Sequence, residues 1–133
     1  MGLDVGDVRI GVAVSDELGM TAQGLTTITR TNIDEDISQI AKIVSEKEVT
    51  KYVVGLPRNM NGTYGPQTEK VKKFIKILTE KHPLEVVYWD ERLTTVAAQR
   101  TLIEGNMSRK KRKKVVDKIA AVMILQGYLD SIR

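Results

Sequence analysis

Residues 1–16 read MGLDVGDVRIGVAVSD, and one residue in that stretch needs explaining. Val8, Ile10, Val12 and Val14 alternate with other residues at the two-residue period of a strand. Leu3 and Val5 precede a Gly6-Asp7 turn, so the sixteen residues form a hairpin. Asp4 lies between Leu3 and Val5. A carboxylate among apolar neighbours is costly to bury without a partner. Either Asp4 faces solvent, or a site requires its charge.

Outward from the hairpin, Ser15-Asp16-Glu17-Leu18-Gly19 is a turn, and Thr21 to Ile28 is a third strand antiparallel to the second. Asn32 is an N-cap with Glu35 three residues on, opening a helix from about Ile33 to Lys47 with Ile33, Ile37, Ile40 and Val44 on one face. Its acids Asp34, Glu35 and Asp36 suit the positive end of the helix dipole. Tyr52 to Leu56 is a short strand ended by Pro57 and followed by the polar loop PRNMNGTYGP. A helix resumes near Pro66, buries Val71, Phe74, Ile75 and Leu78, and stops at His82-Pro83. Glu85 to Trp89 is another strand. A helix covers roughly Thr95 to Glu104, ended by Gly105-Asn106, then a basic loop, then a last helix from about Lys114 to Ser131. This order predicts one α/β domain over residues 1–133, a mixed five-stranded sheet with helices on both faces. In such a sheet the first and fourth strands lie side by side.

The absences narrow the chemistry. With no cysteine and one histidine, His82 at a helix end, zinc sites of Cys and His and a Ser-His-Asp triad are set aside. No apolar run approaches the ~20 residues that span a bilayer. No basic, apolar leader opens the chain, so a cytoplasmic place is expected. The net charge of +4 includes six consecutive cations, Arg109, Lys110, Lys111, Arg112, Lys113 and Lys114. Without them the chain is −2, so the basicity is a local patch of the kind phosphate backbones attract. Such a run is equally well a solvated segment.

Three acids fall where that sheet would gather them. Asp4 is on the first strand, Glu91 follows Trp89-Asp90 at the end of the last, and Asp117 is in the closing helix. Ala120, Ala121, Ile124 and Tyr128 continue the Asp117 face as a small, apolar stripe, which turns Asp117 inward. Each has an ordinary alternative: a turn residue for Asp4, a solvated loop acid for Glu91, a dipole-balancing first-turn acid for Asp117. Together, three neighbouring carboxylates repel unless a cation relieves them. Mg²⁺, or Mn²⁺, takes such oxygen ligands, and two ions serve phosphodiester hydrolysis.

LDVGDVRIGVAVSD, VVGLPRNMNGTYGP, WDERLTT and VDKIAAVMILQGYLD resemble, in order and spacing, the blocks of the YqgF family. The resemblance spans nearly the whole chain. Members are described as Holliday junction resolvases or as nucleases that mature precursor 16S ribosomal RNA, and are similar to RuvC resolvases of ribonuclease H-like fold. The resemblance implies that Asp4, Glu91 and Asp117 are the catalytic, metal-binding triad. It also implies nucleic-acid contacts for Arg9 and Arg92, and for Arg58 and Asn61 in the GLPRNMNG loop. The expected partner is an RNA precursor or branched DNA, bound by a monomer or homodimer.

Two other functions compete. A non-catalytic nucleic-acid-binding ribosome assembly factor would need the basic run and not the acids. An ATPase related to sugar kinases and actin shares a DVG motif, but such proteins bind nucleotide between two domains of this kind and one is expected here. The loop at Gly55 to Thr63 lacks the Gly-Lys-Ser/Thr ending of a phosphate-binding loop, which sets that separate ATPase reading aside.

Overall fold

The computed structural model describes residues 1–57, 65–91 and 109–132, with backbone alone for 109–116. The elements run β1 (Gly2–Val5), β2 (Arg9–Ser15), β3 (Ala22–Thr29), α1 (Ile33–Glu46), β4 (Lys51–Leu56), α2 (Pro66–Lys81), β5 (Glu85–Asp90) and α3 (Arg109–Ser131). The sheet order is β3-β2-β1-β4-β5. β1 pairs antiparallel with β2 and parallel with β4, so first and fourth strands are neighbours, as expected. β4 and β5 are parallel, which aligns the carboxyl ends of β1, β4 and β5. The helix expected over Thr95–Glu104 lies outside the described residues.

Strand alternation divides the sheet into two unlike faces. Leu3, Val5, Ile10, Val12, Tyr52, Val54 and Leu56 join Ile37 and Ile40 of α1 and Val71, Phe74, Ile75 and Leu78 of α2 in the larger core. The other face is lined by smaller residues. Ala13 and Val53 pack there against Ala121, Ile124, Leu125 and Leu129 of α3. Gly2, Gly11, Gly24 and Gly55 also meet α3, each at a distance that a Cβ would violate. Small side chains on both partners therefore let α3 lie unusually close to the sheet.

Local signals explain most boundaries. Asn32 caps α1, its side chain accepting from the Glu35 amide. Pro66 begins α2, and His82, exposed, caps its end. Three expectations are corrected. Val8 is not in β2, which begins at Arg9: it belongs to the turn before the strand, and its side chain is 58% exposed. Ile33 is 40% exposed at the first turn of α1, beyond the reach of the core. The basic run is not a loop; α3 begins at Arg109 and its first turns contain all six cations. Lys and Arg lose little rotamer freedom in a helix, so a run without apolar periodicity still continues one.

Candidate active site

Asp4 stands opposite Gly11 in the β1–β2 ladder. Directly opposed residues project to one face, so the Asp4 side chain shares the face of Gly11. The Gly11 face is covered by α3: a Cβ there would lie 1.9 Å from the Asp117 carbonyl oxygen. Asp4 therefore points toward the turn of α3 that carries Asp117, and it is buried at 9% exposure.

Glu91 reaches the same face from the other side. Trp89 packs against Gly127 of α3, and Glu91, two residues later, follows the end of β5. Its Oε1 would stand 2.9 Å from a Cβ on Gly55, and the same Cβ would collide with Ile124 of α3. Gly55 belongs to β4, the strand between β1 and β5. Having no side chain, it leaves Glu91 room to extend across β4 toward β1. Asp4, Glu91 and Asp117 are thus on one face of the sheet, at the carboxyl ends of three parallel strands, where open α/β sheets place their sites.

Asp117 is engaged. Arg9 Nε donates to its Oδ2 at 2.8 Å, joining the first residue of β2 to α3 across 108 positions of sequence. Both side chains are about a fifth exposed, at 23% and 21%. Among the described residues, no three of His, Cys, Asp and Glu are grouped to hold a metal ion. The donors suit a hard divalent cation in kind and in face, since all three are carboxylates.

The remaining predicted site residues divide as follows. Arg9, expected to contact nucleic acid, is bonded to Asp117, one of the three candidate acids. Arg109, Lys110, Lys111, Arg112, Lys113 and Lys114 form the α3 turns immediately before Asp117. At 1.5 Å rise per residue they lie about 4–12 Å from it along the axis. Asp117 sits at the level of Gly11, and Ala121 and Leu125 at that of Gly2, so α3 runs against the direction of β1. Its basic turns therefore extend past the carboxyl edge of β1, on the side where Asp4 lies. Arg58, Asn61 and Arg92 lie outside the described residues. The buried Thr68 hydroxyl of α2 donates to the carbonyl of Pro57, the residue that follows β4. Trp89 is a packing residue, edge-on to Tyr128 with centroids 6.4 Å apart. Gly11 and Gly55 escaped sequence reasoning, although a glycine inside a strand pattern is a recognised sign of close approach.

The family model described as "RuvX: Holliday junction resolvase" matches residues 1–131. A protein of Clostridium tetani named "Putative pre-16S rRNA nuclease" is 61% identical over 132 residues, 99% of this chain and 96% of its own length. One of the same name from Clostridioides difficile is 59% identical over 130 residues, 98% of this chain and 92% of its own. Among solved structures, RuvC of T. thermophilus in complex with a Holliday junction superposes with a TM-score of 0.61 at 11% identity, covering 98% of this chain and 93% of that one. The fowlpox virus Holliday junction resolvase gives 0.53 at 15% identity, over 99% and 97%. These two likenesses show the ribonuclease H-like fold that the family resemblance implied and with which the strand order agrees. The match along almost the entire sequence bears out the resemblance to YqgF, another name for RuvX, and the chain belongs to this family of nucleases.

Proposed function

We propose that the chain is a divalent-metal-dependent endonuclease that cleaves structured nucleic acid, with precursor 16S ribosomal RNA the favoured substrate and Holliday junction DNA the alternative. Relatives about three-fifths identical along their whole length carry the RNA-processing name, whereas the junction-bound neighbour shares 11% identity and only the fold. The observation that carries the catalytic reading is Asp4, a carboxylate buried at 9% exposure on the same face as Glu91 and Asp117.

Asp4, Glu91 and Asp117 hold the cations, Asp4 from the central strand of the sheet. Bound divalent ions supply the charge that activates water and stabilises the leaving oxygen. The low exposure around Asp4 strengthens every electrostatic interaction made there. The basic turns of α3 bind the substrate backbone. A helix start rich in cations opposes its own dipole, and a polyanion relieves that conflict. Arg58, Asn61 and Arg92 are assigned to substrate contact on the family resemblance alone.

The test is cleavage of precursor 16S RNA, four-way junction DNA and single-stranded DNA side by side, in Mg²⁺ and in Mn²⁺. Asp4→Asn should lose activity by at least about a hundredfold with its unfolding midpoint retained. Undiminished cleavage by Asp4→Asn, or in excess chelator, refutes the mechanism. The pairing of Asp117 with Arg9 favours one second reading, a non-catalytic assembly factor. In that case neutralising Arg109 to Lys114 would abolish RNA binding while the acids proved dispensable.

A further inference from the structure

We propose that Arg9 is a built-in counter-cation, which holds Asp117 until a divalent cation takes that carboxylate from it. This rests on the assignment of Asp4, Glu91 and Asp117 as metal ligands. The Arg9–Asp117 bond, at 2.8 Å, is partly buried and joins two elements that are already fixed to each other by other means. The Asp117 carbonyl seats on Gly11, and Ala121, Ile124 and Leu125 pack α3 onto the sheet. Docking the helix does not require the ion pair. What Arg9 adds is charge.

That charge has a definite place. Asp117 shares a face with Asp4 and Glu91, and carboxylates gathered in a poorly solvated place repel one another. A guanidinium offsets part of that repulsion when no metal is bound. It remains protonated at any ordinary pH, so it does not give way by losing its proton. A competing cation is what displaces it. Arg9 Nε occupies Oδ2 of Asp117, an oxygen that a bound cation would need. The ion pair and metal ligation by Asp117 are therefore alternatives, and Arg9 sets the cation concentration at which one replaces the other.

Metal binding then includes the loss of one charge-assisted hydrogen bond. Removing Arg9 should tighten the cation about tenfold or more. The measurement is calorimetric titration of the full chain with Mg²⁺ and Mn²⁺ in the absence of nucleic acid. Arg9→Gln should bind more tightly than the unmodified chain, and Arg9→Lys, which keeps the charge, close to it. Asp117→Asn should bind weakly whether or not Arg9 is also replaced. Equal or weaker binding by Arg9→Gln, with Asp4→Asn still weakening it, overturns the counter-cation role and leaves the metal site standing. Metal binding indifferent to Asp4→Asn, Glu91→Gln and Asp117→Asn overturns both. Should Arg9→Gln fail to fold, the Arg9 Nε–H resonance of the unmodified chain decides. It should leave its hydrogen-bonded position as Mg²⁺ is added; a resonance unmoved at saturation refutes the exchange.

Discussion

Replacing Gly11 with alanine tests the packing on which the candidate site depends. The added Cβ would lie 1.9 Å from the Asp117 carbonyl oxygen, 2.5 Å from its carbonyl carbon and 3.3 Å from the Lys118 amide nitrogen. These are helix backbone atoms and cannot rotate aside. Gly11 does not have the left-handed backbone that favours glycine, so the cost is one of space. To accept the methyl group, α3 must retreat by about 1 Å, and a gap of that size forfeits up to about half of each dispersion contact along the seam. Overpacking costs about 1–3 kcal/mol, and an unyielding backbone obstacle puts this case at about 3 kcal/mol. With a urea dependence of about 2 kcal/mol/M, the unfolding midpoint should fall by about 1.5 M. Fluorescence of Trp89, the single tryptophan, reports on the same helix because its ring packs at Gly127. Metal affinity should fall too, as Asp117 withdraws from Asp4. A Gly11→Ala protein that unfolds at the wild-type midpoint would show that α3 does not seat on β2 at this residue.

Other predictions concern the scaffold. Asp36 is 1% exposed, accepts from Arg30 Nε at 3.2 Å and from the Thr31 amide at 3.1 Å, and its loss leaves a partly buried guanidinium uncompensated. Asp36→Ala should cost about 3 kcal/mol by urea unfolding; a loss below about 1 kcal/mol would contradict the pairing. Asn32→Ala, which removes the α1 cap, should cost about 1 kcal/mol in the same assay. Asp16 is held below its usual 3.8, first by the Met20 amide and then by the Thr21 amide. The stabilisation from this turn is present above the unfolded-state value and is lost as pH falls through the lower folded-state value. A carboxyl titration followed by NMR should therefore give an Asp16 midpoint below 3.8, and one at or above 3.8 would exclude these bonds.

Legibility followed periodicity. Val71, Phe74, Ile75 and Leu78 announce α2 because a buried helix must repeat its apolar face, and all four are buried. The same signal misplaces Val8 and Ile33, which keep the period at an element's end, where the core no longer covers them. It says nothing about Arg109 to Lys114, whose turns of α3 carry no apolar residue. Asp4 is conspicuous because it breaks an apolar pattern, whereas Gly11 and Gly55 are matched in type by glycines that serve only turns. The Arg9–Asp117 bond shows the limit most clearly, because its two residues are 108 positions apart and no local spacing joins them.

By itself the sequence determined the order of the five strands, the hairpin at its start, the first two helices and the family to which the chain belongs. These depend on residue type and near neighbours, which a linear pattern records. Tertiary structure alone decided that glycines admit α3 and Glu91 to one face of the sheet, and that Asp117 is bound to Arg9. Each of these is a matter of distance between remote segments, fixed by the packing of backbone against backbone, and no local spacing encodes it.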